Sequence, residues 1–239
     1  MNLTEHTVVV IGASSGVGLE TAKRAAAAGA RVIAASRNAD TLQAALRGLP
    51  GKLEAHAVDA GEAADLARFF RAVGAFDHLV LTLSGGEGAG PFESLDLQAL
   101  RRGFEAKFWP QLAAAQCSLP FLRADGSITF VTAISARIAR PGTTGLAAIN
   151  GALEAMVGGL ARELAPRRVN AVSPGVIDTP WWDRLPADAK AAMFAEQRDT
   201  LPVGRVGRPD DVAHAIQFLM GNAFTTGTVL ACDGGLHLL

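Results

Sequence analysis

Short apolar segments rich in β-branched residues alternate along this chain with longer Ala- and Leu-rich segments of helical periodicity. The longer segments predict helices at 16–28, 40–49 and 62–73. The apolar segments predict strands at 7–11, 31–36, 53–58, 78–83, 127–132, 169–172 and 228–231. Strands that alternate with helices are typical of a parallel sheet covered on both faces. No linker rich in Pro, Gly or Ser divides the chain, so the pattern predicts a single α/β domain over 1–239 with a doubly wound parallel sheet.

A helical pattern at 96–122 departs from this alternation because Pro110 lies inside it. Proline has no backbone N–H, so the carbonyl of Ala106 loses its helical partner. The pattern therefore predicts a helix with a kink at Lys107.

Residues 177–209 form a second departure, since they lack a strand pattern and contain Trp181, Trp182 and a short Ala-rich helix. The segment lies between the sixth predicted strand and the last helix. We expect it to be a substrate lid. The two tryptophans either close over a ligand or anchor a core or an interface.

The composition narrows the functional classes. Apolar residues make up 49% of the chain and charged residues 19%, which is typical of a globular protein. A net charge of −1 gives no electrostatic reason to expect nucleic acid or a membrane surface as a partner. The N-terminal sequence lacks the features of a signal peptide, and no apolar run reaches about 18 residues, so a cytoplasmic location is expected. Cys117 and Cys232 are too few and too far apart to predict a disulfide framework or a metal site.

A glycine-rich turn follows the first predicted strand and opens the first helix. Its glycines, Gly12, Gly16 and Gly18, have the spacing G-x-x-x-G-x-G. Glycines let the backbone approach a pyrophosphate, and a helix N-terminus offers unpaired N–H groups and a favourable dipole. Ser14 and Ser15 can add hydroxyl donors. The turn therefore predicts a dinucleotide site.

The second predicted strand ends at Ser36, which Arg37 follows about twenty residues after the glycine turn. A carboxylate at this point suits the ribose 2′-hydroxyl of NAD, whereas an arginine suits the 2′-phosphate of NADP. The pair favours NADP(H) as the cofactor. The alternative is that Arg37 is a solvated surface residue.

Three segments extend this picture: T-V-V-V-I-G-A-S-S-G-V-G at 7–18, R-V-N-A-V-S-P-G-V-I-D-T at 168–179, and L-P-V-G-R-V-G-R-P-D-D-V-A from 201, with D-G-G near the end. In these segments the chain resembles the short-chain dehydrogenase/reductase family, whose fold is Rossmann-type. The resemblance covers essentially the whole chain. It implies that Asp59 meets the adenine and that the turn after the sixth strand lies beside the nicotinamide. The implied cofactor-binding residues are Gly12, Ser14, Ser15, Gly16, Val17, Gly18, Ser36, Arg37, Asp59, Asn150, Pro174, Gly175, Ile177 and Thr179.

The same resemblance implies an Asn, a Ser, a Tyr and a Lys as catalytic residues, yet this chain contains no tyrosine. The segment G-S-I-T-F-V-T-A-I-S-A places Ala133 at the serine position. The segment P-G-T-T-G-L-A-A-I-N-G-A-L places Leu146 at the tyrosine and Asn150 at the lysine. Lys107, in F-E-A-K-F, stands at the asparagine position. The turn after the fourth strand is also altered, to T-L-S-G-G at 82–86.

Loss of a positioned general acid costs about 10²–10⁴ in rate, so the usual ketone reduction is expected to be slow. Lys107 is the candidate replacement, since a buried lysine with a lowered pKa can donate a proton. The alternative is that its long side chain reaches solvent. Ser135, Thr132 and two further threonines, at 143 and 144, are expected to orient a ligand rather than to act as acids.

Two functions remain open. The first is an NADP(H)-binding oxidoreductase that acts on a small carbonyl compound or an activated alkene, with water or Lys107 supplying the proton. The second is a non-catalytic NADP(H)-responsive binding protein, or a supporting subunit of a related active reductase. In either case the long helices are expected to build a homodimer or a homotetramer.

Overall fold

A computed structural model of the protein describes residues 2–239 and contains one seven-stranded parallel sheet. The strands are β1 (Thr7–Ile11), β2 (Arg31–Ser36), β3 (Lys52–Ala57), β4 (Phe76–Leu81), β5 (Leu122–Val131), β6 (Arg168–Pro174) and β7 (Val229–Cys232). Their order across the sheet is β3-β2-β1-β4-β5-β6-β7. The order reverses between β1 and β4, and in sheets of this kind ligands bind outside the carboxyl ends of the strands at that point.

Helices cover both faces of this sheet. They are α1 (Gly16–Ala27), α2 (Ala39–Leu46), α3 (Ala63–Val73), α4 (Leu97–Ser118), α5 (Thr144–Glu163), α6 (Ala187–Thr200) and α7 (Pro209–Gly221). Successive side chains of β1 point to opposite faces. Val9 and Ile11 join the core that includes residues of α3, α4 and α5, whereas Val8 and Val10 join the core that includes residues of α1, α2 and α7. The predicted doubly wound α/β fold is confirmed.

The boundary between α4 and β5 is where the expectation was wrong. A helix with a kink at Lys107 was expected over 96–122, but α4 ends at Ser118 and β5 begins at Leu122. Leu122 pairs with Phe76, and the register shifts between Phe76 and His78. Pairing with β4 therefore overrides the local helical pattern. Pro110 lies inside α4 without ending it.

The segment at 177–209 contains a 3₁₀ turn, Pro180–Arg184, and helix α6. An isolated parallel bridge between Ile177 and Gly207 joins the two ends of this segment. No named strand lies within this segment, and its role as a substrate lid stays a prediction.

Helix α5 is apolar enough and long enough to cross a membrane, with 20 residues and a mean hydropathy of 1.2. This is weak evidence, because core helices of soluble proteins have the same properties. Here α5 packs against α4 and β6, with Leu153 and Val157 in the core beneath it.

Candidate active site

The carboxyl ends of four central strands bring the predicted site residues to one edge of the sheet. The glycine turn follows β1, Thr82 follows β4, Thr132 follows β5, and Pro174 ends β6. These residues are far apart in the chain, and the parallel register of the sheet places them side by side.

Backbone conformation explains the glycine turn. Gly12 has a φ of +96° and Gly16 a φ of +53°, a region that disfavours other residues. A Cβ on Gly18 would overlap the carbonyl oxygen of Gly12. The first turn of α1 has no acidic residue, and the side chain of Ser15 makes no capping hydrogen bond. The helix start is thus an open cradle of N–H groups that suits a pyrophosphate.

Thr82 supports this turn, a role that sequence reasoning missed. Its hydroxyl lies 2.9 Å from the carbonyl oxygen of Ile11 and 3.1 Å from that of Gly12, and it donates to these acceptors. The altered segment after β4 was noted, but periodicity gave no signal that one of its side chains reaches β1.

The residues predicted to hold the adenosine half lie beyond the ends of β2 and β3. Ser36 is buried and its hydroxyl donates to the carbonyl of Asn38 at 2.9 Å. Arg37 is exposed, and no carboxylate in the described part of the chain pairs with it. Asp59 accepts a hydrogen bond from the backbone N–H of Gly61 at 2.9 Å, which shapes the turn after β3.

The turn after β6 closes the other side of the cradle. Gly175 donates its N–H to Cys232, and a Cβ there would lie 2.8 Å from the Cα of Asp233. Thr179 approaches the glycine turn, since its methyl group lies 3.2 Å from where a Cβ on Gly16 would stand. The structure therefore joins two predicted cofactor segments that are far apart in sequence.

Lys107 is buried, with 9% of its surface exposed, and does not reach solvent as the alternative interpretation required. Its ammonium donates a hydrogen bond to the carbonyl oxygen of Thr132 at 3.0 Å. Burial lowers the pKa of Lys107 to about 8, while the negative charge of Glu154 raises it. A lysine of this kind exchanges protons near neutral pH. Its hydrogen-bond partner, Thr132, directly precedes Ala133 in the loop after β5.

Asn150 forms a second buried polar group. Its amide nitrogen donates to the hydroxyl of Ser135 at 3.1 Å and to the carbonyl of Leu146 at 2.9 Å. Its amide oxygen has no hydrogen-bond partner among the described residues. A buried acceptor without a partner is costly, and a hydroxyl of a bound molecule would satisfy it. The role of Asn150 in holding a cofactor ribose stays a prediction.

Glu154 was not predicted at all. It lies on α5 one helical turn after Asn150, and its carboxylate accepts hydrogen bonds from Thr132, Ser173 and Arg137 at 2.8, 2.7 and 2.8 Å. A glutamate within the apolar stretch G-A-L-E-A-M-V was the signal that sequence reasoning overlooked.

The two tryptophans of the 3₁₀ turn have different surroundings. Trp181 donates its indole N–H to the carbonyl of Gly85 at 2.9 Å, and the guanidinium of Arg184 stacks 3.1 Å from its ring centre. Trp182 instead packs in a small apolar cluster that includes Ile134 and Leu201. Trp181 thus spans from this segment to the loop after β4, and Trp182 anchors the segment to the core.

Comparison with known proteins agrees with this geometry. A family model described as enoyl-(acyl carrier protein) reductase matches residues 12–237. The protein Short-chain dehydrogenase/reductase ATR9 of Stachybotrys chlorohalonatus is 32% identical, over 98% of this chain and 97% of its own. The chain belongs to the short-chain dehydrogenase/reductase family.

Two further members of the family are informative. The cis-4-hydroxycyclohexanecarboxylate dehydrogenase of Sinomonas cyclohexanicum is 34% identical, over 97% of this chain and 96% of its own. A solved structure described as a small-chain dehydrogenase in complex with NADPH is 36% identical, covers 98% of this chain and 99% of its own, and has a TM-score of 0.87.

Not every predicted ligand-orienting residue of this short-chain dehydrogenase/reductase points to a ligand. Thr132 and Ser135 are buried in the polar network around Lys107 and Asn150. The hydroxyl of Thr143 donates to the carbonyl of Arg140 within its own turn, so its hydrogen bond is made locally and not to a ligand. The polar groups near the predicted catalytic positions thus come from β5, α4 and α5.

Proposed function

We propose that this short-chain dehydrogenase/reductase is an NADP(H)-dependent oxidoreductase that acts on a small carbonyl compound or an activated alkene with an altered acid–base set. The observation that carries the proposal is the buried ammonium of Lys107, bonded to Thr132 at the carboxyl end of β5. It supplies an exchangeable proton in a site that has no tyrosine.

The cofactor proposal rests on the cradle after β1. The relative solved with NADPH has the same fold over nearly its whole length. Gly12, Gly16 and Gly18 would hold the pyrophosphate, Arg37 the 2′-phosphate and Asn150 a ribose hydroxyl. When bound, NADPH supplies the hydride.

The acid–base proposal starts from the four positions at which the resemblance implies catalytic residues, because this chain has a different residue at each of them. Leu146 has no proton to donate and Ala133 cannot polarise a carbonyl, so two of the usual roles have no group at their usual positions. Lys107 bonds to Thr132, the residue that directly precedes Ala133. In this proposal Lys107 supplies the proton to the substrate, directly or through a water molecule. Asn150 orients the bound cofactor, and Ser135 accepts a hydrogen bond from the Asn150 amide and holds it in place.

The segment at 177–209 acts as the substrate lid in this proposal. Trp181 bonds to the loop after β4, and Arg184 donates to the carbonyl of Gly86 at 3.2 Å, so both residues bridge the mouth of the site. An arginine at this position suits a substrate with an anionic group. The Sinomonas relative is named for a hydroxycyclohexanecarboxylate. Small ring ketones that carry a carboxylate are therefore the first compounds to screen.

The first experiment is a calorimetric titration with NADPH and, in parallel, with NADH. We expect micromolar binding of NADPH and weaker binding of NADH, because a neutral 2′-hydroxyl gains little from Arg37. In Arg37→Ala the preference for NADPH should fall by about tenfold, which corresponds to about 1.4 kcal/mol for one lost charge contact. Tighter binding of NADH by the unaltered chain would contradict the proposal.

A turnover assay then tests Lys107. With NADPH and 4-oxocyclohexanecarboxylate as the first substrate, Lys107→Met should lower kcat by about 10²-fold, in the range of a lost general acid. Lys107→Arg is the matched variant, since it keeps the charge but releases its proton far less readily. Unchanged kcat in Lys107→Met excludes this residue as the proton source.

The second candidate function is a non-catalytic NADP(H)-responsive binding protein or a supporting subunit of a related active reductase. It is favoured by Leu146 at the position where the family has its tyrosine. Binding of NADPH without turnover of any carbonyl compound would support the sensor. Co-purification with a homologue that contains the tyrosine would support the subunit.

Assembly and location complete the proposal. Helix α4 exposes Leu97 and Trp109, with 63% and 51% of their surfaces accessible, which supports a homodimer or a homotetramer built through the long helices. Light scattering on the purified protein measures the assembly. Expression of a fluorescent fusion tests the proposed cytoplasmic location.

A further inference from the structure

The carboxylate of Glu154 accepts three hydrogen bonds near the active site. Only 11% of its side chain is exposed. One oxygen accepts from the hydroxyls of Thr132 and Ser173, and the other accepts from the guanidinium of Arg137. The donors come from the end of β5, from β6 and from the loop after β5, so one side chain on α5 connects three neighbouring segments.

Thr132 connects this carboxylate to Lys107. Its hydroxyl donates to Glu154 at 2.8 Å, while its carbonyl oxygen accepts from the ammonium of Lys107 at 3.0 Å. Thr132 is itself 2% exposed and therefore has little freedom to turn away. Lys107 and Glu154 thus meet at the same residue from two different helices.

The charges around Lys107 make this arrangement electrostatic as well as structural. Among the groups on the elements packed against α4, Glu154 is the one whose field acts on Lys107, and Arg137 binds the far oxygen of that carboxylate. Burial destabilises an ammonium, and a nearby carboxylate restores part of its stability. The position of Glu154 thereby affects how readily Lys107 gives up its proton.

We propose that Glu154 is a positioning residue that acts through Thr132 to hold the Lys107 ammonium at the carboxyl end of β5. This rests on the proposed function, in which Lys107 supplies the proton. A role confined to anchoring Arg137 predicts something different: removal of either partner would loosen the loop after β5 in the same way and would leave Lys107 unaffected.

The chain is well suited to a direct test because it contains only four lysines, at 23, 52, 107 and 190. The full-length protein labelled with [ε-¹³C]lysine should give four signals, and Lys107→Met identifies the one of interest. We expect that signal to titrate near the pKa of about 8. Lys190, whose pKa is raised by Asp183, is an internal reference.

Glu154→Gln removes the negative charge but keeps an oxygen that accepts from Thr132. In this variant we expect the pKa of Lys107 to fall by about one unit, a tenfold change in its proton affinity, while that of Lys190 stays the same. In Glu154→Asp, which restores the charge on a shorter side chain, the pKa should recover in part.

Arg137→Met is the matched control, because it removes the other partner of the same carboxylate from a half-exposed position. The field of Glu154 on Lys107 is then no longer opposed, so the pKa of Lys107 should stay the same or rise. A lower pKa of Lys107 in Glu154→Gln, without a decrease in Arg137→Met, supports the proposal. The same response in both, or an unchanged Lys107 in a folded Glu154→Gln protein, overturns it.

These measurements need no cofactor and no turnover, so they separate this proposal from the proposed function. If the unaltered protein turns over a substrate, the limb of its kcat–pH profile should shift in Glu154→Gln by the same amount as the NMR titration. If it turns over nothing, the proposed function fails, while the shifted signal still supports the link between Glu154 and Lys107.

Discussion

Two adjacent parts of the active-site edge differ in how they are built. The cofactor cradle after β1 is made by backbone atoms, with Gly12 and Gly16 in left-handed conformations and Gly18 packed on a carbonyl oxygen. The region around β5 and α5 is made by side chains, in which Lys107 and Glu154 meet at Thr132. The chain belongs to the short-chain dehydrogenase/reductase family, and in the proposed function the second part carries an altered set of acid–base groups.

The difference leads to an expectation about which kinds of site tolerate substitution. A cradle of N–H groups depends on dihedral angles that only glycine adopts at low cost, so its sequence signature is narrow. A site made of side chains on helices and strand ends can exchange them while the backbone stays in place. In the proposed function, this chain carries a different set of buried polar groups on the family's fold.

The largest expected effect comes from giving the side-chain region the family's identities. The combination Lys107→Asn, Ala133→Ser, Leu146→Tyr and Asn150→Lys exchanges the proposed proton donor Lys107 for a tyrosine. Its kcat for ketone reduction should exceed that of the matched set without the tyrosine hydroxyl by about 10²–10⁴-fold, because it supplies a positioned general acid. The matched set has Leu146→Phe in place of Leu146→Tyr and differs by one hydroxyl. An equal kcat in both sets would mean that proton supply is not what distinguishes this region.

Next in size is a change in the backbone region. Gly18→Ala places a Cβ against the carbonyl of Gly12, and overpacking of this kind costs about 1–3 kcal/mol. We expect NADPH affinity to fall by about 10- to 100-fold and the melting temperature to decrease. Gly151→Ala is the control, since a Cβ there meets nothing within 4 Å on α5 and should stabilise the helix slightly. Unchanged NADPH affinity in Gly18→Ala would contradict the view that the region after β1 binds the cofactor through its backbone conformation.

The smallest expected effect is on the free energy of unfolding, and here a substitution stabilises the protein. The folded chain lowers the pKa of Lys107 from 10.5 to about 8, so the unfolded chain binds more protons between these values and stability rises with pH across them. Below pH 8 the buried charge costs about 3 kcal/mol, at 1.36 kcal/mol per pKa unit. After the loss of its hydrogen bond is subtracted, Lys107→Met should be about 2 kcal/mol more stable than the unaltered chain at pH 7.

Urea denaturation at pH 7 and at pH 10 measures this effect. The advantage of Lys107→Met should largely disappear at the higher pH, and Lys52→Met, at an exposed position on β3, should change little at either. A less stable Lys107→Met protein at pH 7 would show that the ammonium carries no burial cost.

Local patterns were sufficient for some elements and not for others. Strand β1 and strand β2 were predicted with their observed bounds because their apolar runs are short and end in turn residues. The start of β5 was missed, since Leu122 becomes a strand residue only by pairing with Phe76. The lysine at 107 was recognised as unusual, but its burial depends on how α4 lies against β5.

The sequence by itself determined the doubly wound fold, the glycine cradle and the absence of a tyrosine, because these depend on periodicity, on the conformational freedom of glycine and on composition. Only the tertiary structure decided that Thr82 supports the cradle, that Trp181 and Trp182 have different surroundings, and that Lys107 and Glu154 meet at Thr132. Such contacts join residues from separate elements. Their distances follow from sheet register and helix packing, which no local pattern records.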